Sequence, residues 1–94
     1  LPPPEKVKQV TQILAALANE RRLEVICLLS ENGEMSVGAL LEHLELSQSA
    51  LSQHLSKLRA EGFVETRKEG LNVYYRVERQ DIRSLLGVLH SLYC

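Results

Sequence analysis

Apolar residues recur at three- and four-residue intervals along most of this chain, the spacing of amphipathic helices. Val7, Val10, Leu14 and Leu17 mark a first helix from Glu5 to about Ala18, with Pro2-Pro3-Pro4 as a stiff leader ahead of it. Asn19 is a suitable cap for a second helix running through Arg21–Leu29 to Asn32-Gly33, with Glu20 in its first turn. Ser36 caps a third, short helix expected over Val37–Leu44. The gap Glu45-Leu46-Ser47 leads into a fourth helix with Ser47 as its cap, and Gly62 supplies the left-handed stop. The periodicity then changes. Phe63–Lys68 and Asn72–Val77 are β-branched and aromatic runs around Glu69-Gly70-Leu71, a hairpin pattern. A last helix from about Gln80 carries Ile82, Leu85, Leu86, Leu89 and Tyr93 on one broad side.

The expected fold is mainly α with a small β-hairpin: about five helices and a two-stranded wing in a winged helix-turn-helix. One domain covers 1–94, with a flexible leader at 1–4, a helix-turn-helix at 36–62 and a wing at 63–78. The helices at 5–18 and 80–94 carry more apolar surface than a small core needs, which favours pairing with a second copy.

The fourth helix points to a function. Leu51, Leu55 and Leu58 fall within about 60° of one another on a 3.6-residue helix and form a narrow keel. The opposite side carries Ser49, Gln53 and Ser56, flanked by Ser52 and Lys57, with Gln48 at the helix start as a further candidate DNA contact, and no acidic residue occurs between Ser47 and Ala60. Hydroxyl and amide groups can bond to base edges and phosphates, whereas a carboxylate would repel the backbone. An ordinary surface helix would carry more Glu and Lys pairs. His54 lies beside the keel, suited to a phosphate contact or an internal hydrogen bond. On the wing, Arg67, Lys68 and Arg76 are placed to reach backbone or a neighbouring minor groove, or else form a charged strand edge that discourages aggregation.

Composition changes this picture little. The net charge is −1, which looks wrong for a DNA binder. Yet Ser47–Arg76 holds the bases Lys57, Arg59, Arg67, Lys68 and Arg76 against Glu61, Glu65 and Glu69, while Ser30–Leu46 holds Glu31, Glu34, Glu42 and Glu45 and neither Lys nor Arg. Positive charge sits on the candidate binding segment, so electrostatic affinity is moderate and geometry must contribute much of the binding. No apolar run approaches the ~18 residues of a membrane span and no charged-then-apolar leader is visible, so the expected setting is a reducing cytoplasm without membrane contact.

The sequence has two cysteines, Cys27 and Cys94, and neither a CxxC nor a zinc-finger spacing. No nucleophile–base pairing, phosphate loop or carboxylate pair suggests an enzyme, and no cofactor is implied. Cys27, among Leu23, Ile26 and Leu29, reads alone as a small core hydrophobe. Cys94 is less easily explained by packing. If the last helix lies over the second, the two sulfurs meet within one subunit.

The stretches Ala18-Asn19-Glu20-Arg21-Arg22-Leu23, Leu46-Ser47-Gln48-Ser49-Ala50-Leu51-Ser52-Gln53-His54-Leu55, Leu58–Val64 and Tyr74-Tyr75-Arg76-Val77 occur in an order that resembles the ArsR/SmtB family of bacterial repressors. The resemblance spans nearly the whole chain. It implies a homodimer built on the first and last helices, with two reading helices on a near-palindromic double-stranded operator. Many members sense metals, and here the departures matter. Val37–Leu44 lacks the family's Cys-x-Cys. Of the carboxylate-and-histidine site on the last helix Asp81 remains, but Arg83 stands where a His is needed and Cys94 closes the pattern. A guanidinium cannot ligate metal. The runs Arg22–Leu29 and Leu89-His90-Ser91-Leu92-Tyr93-Cys94 instead resemble the persulfide- and redox-sensing SqrR/BigR and HlyU-like branch. That branch implies a dithiol, Cys27 and Cys94, which a persulfide or oxidant inducer bridges to release DNA. The alternative is a metal-responsive repressor using both cysteines and His90.

Overall fold

The computed structural model describes all 94 residues, Leu1–Cys94. Its order is α1 (Pro4–Leu17), α2 (Glu20–Asn32), β1 (Glu34–Ser36), α3 (Val37–Leu41), α4 (Gln48–Ala60), β2 (Glu65–Glu69), β3 (Asn72–Arg76) and α5 (Gln80–Tyr93). This is the winged helix-turn-helix plan.

Local chemistry sets most of the boundaries. The Asn19 side chain accepts from the backbone N–H groups of Arg21 and Arg22, both at 3.1 Å, and starts α2. Arg22 then reaches back, its Nε donating to the Ala16 carbonyl at 2.9 Å. The Asn-Glu-Arg-Arg turn thus satisfies the end of one helix and the start of the next, where backbone groups lack helical partners. Ser36 and Ser47 each accept from the backbone N–H three residues on, at 3.2 and 3.1 Å. At the end of α4, Gly62 takes φ 80° and the Phe63 N–H donates to the Leu58 carbonyl at 2.8 Å, closing a Schellman turn.

Two features differ from expectation. The wing is the expected two-stranded hairpin β2-β3, but a further strand, β1, joins it, and the sheet order is β1-β3-β2. Glu34–Ser36 pairs antiparallel with β3, Glu34 opposite Arg76 and Ser36 opposite Tyr74. Three residues are too few to show alternation, and their partner lies some forty positions away. The third helix ends at Leu41, short of Leu44. Beyond it the chain bends, and Leu44 still reaches the core.

The hairpin turns on Gly70-Leu71, between the paired Glu69 and Asn72. Gly70 has φ 62° and Leu71 does not share that positive φ, the combination of a type II′ turn.

The core is aliphatic. Val25 and Ile26 of α2, Leu40 of α3 and the keel Leu51, Leu55 and Leu58 of α4 are each wholly buried. The first helix buries Ile13 and Ala16 and leaves Val7, Val10 and Leu14 exposed, the apolar excess expected of it. Along α5, Ile82 and Leu86 are buried, Leu85 and Leu89 half-buried, and Val88, Leu92 and Tyr93 exposed. Hence Val7, Val10 and Leu14 form an apolar stripe outside the core of a single copy. No helix is long and apolar enough to cross a membrane.

Candidate nucleic-acid interface and cysteine cavity

The keel of α4 faces inward, so its other side must face out. Ser49, Ser52, Gln53, Ser56 and Lys57 line one open surface that includes no apolar residue. Gln48 is exposed at the helix start and His54 is half-buried beside the keel. None of these side chains is engaged in an ion pair, and the helix has no acid in its first turn. A rigid helix with a bare row of donors and acceptors suits base edges in a major groove.

The wing is arranged differently. Arg67 lies over the Tyr74 ring, 4.8 Å from its centroid, and extends across the sheet to Glu34 on β1. Its Nε donates to both Glu34 carboxylate oxygens, at 3.1 and 3.2 Å, and its Nη1 to Glu69 at 2.7 Å. The Arg67 hydrogen bond holds the Glu34 carboxyl below the usual range, and the same bonds raise Arg67. Arg76 is also committed: its Nε lies 2.8 Å from Glu78 and its Nη2 3.8 Å from Glu65. The approach to Glu78 is close yet too bent to satisfy Nε as a hydrogen bond. Glu78, bonding to Glu65 and sharing its charge, pushes the Glu65 carboxyl up. Lys68 alone among the three wing bases is exposed and unpaired.

The cysteines do meet across one space. Cys27 on α2 is half-buried, and Cys94 is exposed just beyond α5, its N–H bonded to the His90 carbonyl at 2.9 Å. Both line a cavity of about 590 Å³ between α2 and α5, with Leu23, Leu86 and Leu89 as apolar wall. Burial pushes the Cys27 thiol up, with Glu31, Cys94 and Glu24 adding to the effect. His90 Nδ1 stands 3.9 Å from a Glu31 oxygen at the rim. No three His, Cys, Asp or Glu side chains gather into a metal-binding group. Asp81 is occupied elsewhere: it accepts from the Ile82 N–H at 2.8 Å and pairs with Arg79 at 2.7 Å, and Arg79 above all holds its carboxyl low.

Sequence reasoning missed Ser30 and Arg83, which also line the cavity. A signal existed. Arg83, Gly87, His90 and Cys94 recur at helical spacing on α5, and Cys27 and Ser30 do so on α2.

Known proteins point the same way. Residues 19–66 match the family described as "Bacterial regulatory protein, arsR family". The chain is 52% identical over 82 residues to the transcriptional activator HlyU of Vibrio cholerae, spanning 87% of this chain and 75% of that protein. It is 44% identical to the nodulation protein NolR of Rhizobium meliloti, over 97% of this chain and 76% of the relative. Among solved structures, reduced HlyU from Vibrio cholerae superposes with a TM-score of 0.89 at 48% identity, covering 96% of this chain and 94% of that one. The transcriptional repressor BigR from Xylella fastidiosa superposes with 0.87 at 33% identity, over 96% and 91%. With an exposed polar helix on a winged scaffold, this chain belongs to the ArsR/SmtB family and is a DNA-binding transcriptional regulator.

Proposed function

We propose that the protein is a homodimeric repressor that holds operator DNA while Cys27 and Cys94 are reduced, and releases it once a persulfide or an oxidant has joined them. The observation that carries this reading is the cavity between α2 and α5 into which both cysteines open. Gln48, Ser49, Ser52, Gln53, His54, Ser56 and Lys57 read or position the DNA, with Lys68 from the wing. The stripe Val7, Val10 and Leu14, together with Val88 and Leu92 of α5, is the surface on which two copies pair. Pairing sets two reading helices about 34 Å apart, one turn of DNA.

The chemistry balances without a further reagent on the persulfide route. Each thiolate takes a sulfane sulfur from a low-molecular-weight persulfide, which leaves as its thiol. Cys27–S–SH and Cys94–S–SH then condense to Cys27–S–S–S–Cys94, and one sulfur departs with both hydrogens as hydrogen sulfide. On the oxidant route, two thiols and one peroxide yield a disulfide and two waters. The exposed Cys94 reacts first, because burial and nearby carboxylates disfavour the Cys27 thiolate. The bridge ties α5 to α2, and since α5 also supplies the pairing surface, the spacing of the two reading helices changes with it. A hundredfold loss of affinity requires about 2.7 kcal/mol of preference for the non-binding state, within reach of one covalent constraint.

The test is operator release, followed by fluorescence anisotropy, with intact mass read in parallel. Cys27→Ser and Cys94→Ser should each bind like the reduced parent and ignore persulfide. A double variant that still dissociates on persulfide treatment would overturn the switch. Release driven by zinc and abolished by His90→Ala would favour metal sensing instead. Sedimentation showing a monomer at micromolar concentration would overturn the dimer.

A further inference from the structure

A second polar surface adjoins the outer row of α4. Lys57 lines both that row and a groove of about 270 Å³ between α1 and the end of α4. Gln9 and Gln12 border the groove from α1 and Arg22 from the start of α2, with Arg79 and Phe63 completing it. Arg22 is pinned without being neutralised. Its Nε donates to the Ala16 carbonyl at 2.9 Å and its Nη2 to the Ala15 carbonyl at 3.3 Å, while Nη1 has no partner and no carboxylate pairs with the group. Lys57 is exposed and has no carboxylate partner either. Arg79 lies 5.2 Å from the centroid of the Phe63 ring and gives its Nε and Nη2 to Asp81. Glu61 is the one acid that lines the groove. Cations outnumber acids here, whereas on the wing carboxylates claim both arginines. Pairing of two copies leaves the groove open. With 3.6 residues to a turn, Gln12 stands about 140–160° round α1 from Val7, Val10 and Leu14, so a copy seated on that stripe does not cover it.

We propose that this groove grips the phosphate backbone of the DNA beside the reading helix: Lys57 and the unbonded Nη1 of Arg22 meet phosphate oxygens, and Gln12 donates its side-chain amide to the same strand. A duplex whose major groove receives α4 brings a phosphate strand along the flank of that helix, and phosphate contacts fix the register in which base edges are read. Lys57 stands on that flank, and the next groups outward are those of the groove. Arg22 suits the task because its guanidinium is already held in place by α1, so little freedom is lost when a phosphate binds. Glu61 opposes the phosphate and keeps the grip moderate. The proposal rests on the placement of α4 in the major groove and is independent of the cysteines.

The test is the salt dependence of binding by the reduced protein to operator and to scrambled duplex, followed by fluorescence anisotropy. Gln12→Lys should tighten both about tenfold and steepen the slope of log affinity against log salt by about 0.9, the mark of one added phosphate contact. Gln12→Glu should weaken both duplexes about tenfold, and Glu61→Gln should tighten both about threefold. Arg83→Gln changes the net charge as Gln12→Glu does, but at the cysteine cavity, and should stay within about twofold of the parent. Arg22→Gln should reduce the slope by about 0.9 and Arg22→Lys should restore it. Because Arg22 also holds α1, thermal melts accompany that pair, and the exposed Gln12 carries the test if they fall. Parent-like affinity and slope in both Gln12 variants would overturn the groove. So would an equal loss in Arg83→Gln, which would reduce the effect to net charge. Gln53→Ala separates the two claims. If it loses specific affinity while the Gln12 variants do nothing, the reading helix stands and the groove falls. If the Gln12 variants respond and Gln53→Ala does not, the backbone grip stands and the reading row falls.

Discussion

The fourth helix and the wing both carry polar and basic side chains, yet they are built on opposite plans. On α4 the keel of three leucines is wholly buried and the outer row is unbonded, so every donor and acceptor there is available. On the wing the two arginines are spent inside the protein, Arg67 on Glu34 and Glu69, Arg76 on Glu65 and Glu78. A basic residue on the wing is therefore not the same as a charge free to meet a phosphate. A guanidinium can be a strut, and Arg67 joins the hairpin to β1 across the width of the sheet.

The sharpest way to break this contrast is to alter the bare face. Gln53→Ala should lower specific operator affinity about tenfold or more, since a good base contact is worth about 1–3 kcal/mol. Its thermal midpoint should barely move, because Gln53 is exposed and packs against nothing in the core. Equal loss on operator and scrambled DNA would show that the face grips DNA without reading it.

A smaller effect is expected at the unpaired wing base. Lys68→Ala should weaken binding to all sequences alike and reduce the slope of log affinity against log salt by about 0.9. Arg67→Ala should leave that slope unchanged, since its charge is already neutralised by Glu34 and Glu69. Instead it should loosen the hairpin, seen as faster amide exchange along β2 and β1. A slope change as large as that of Lys68→Ala would mean that Arg67 leaves its carboxylates for phosphate.

The smallest effect is the pH dependence of the strut. Glu34 is held low by Arg67, so the folded state keeps it ionised more readily than the unfolded chain does. Its contribution is present above the unfolded carboxylate range and is lost as pH falls through the lowered folded value. Glu65 works in reverse: raised by Glu78, it favours the fold when protonated and loses that contribution as pH rises. Thermal melts from pH 7 to pH 3 should show a shallower acid loss in Glu34→Gln than in the parent. In Glu65→Gln the neutral-pH melt should rise slightly, because one like-charge contact is removed.

Sequence reading reached far on the helices because their signals are local. Asn19, Ser36 and Ser47 each cap a helix within three residues of themselves, and Gly62 ends α4 where its left-handed φ is needed. The keel at Leu51, Leu55 and Leu58 follows from a period of 3.6 and needs no partner to be seen. The reading face was legible as its complement.

What failed to show was whatever depends on residues far apart in sequence. Strand β1 has only three residues and takes its identity from β3, so no local pattern announces it. The apolar spacing of α1 was visible, but the buried face uses Ile13 and Ala16 while Val7, Val10 and Leu14 stay outside. Periodicity identifies an apolar stripe; it cannot say whether the same chain or another covers it. Arg67 and Arg76 read as free bases until Glu34 and Glu78 were brought beside them.

The sequence by itself determined most helix boundaries, the inward keel and the polar outer row of α4, since caps, glycine stops and helical periodicity act over a few residues. Only the tertiary structure decided that Cys27 and Cys94 share a cavity with Arg83 and Ser30, and that two wing arginines are already taken. Those facts follow from how α5 and β1 settle onto distant neighbours, and a side chain's partners are set by that packing, not by its place in the chain.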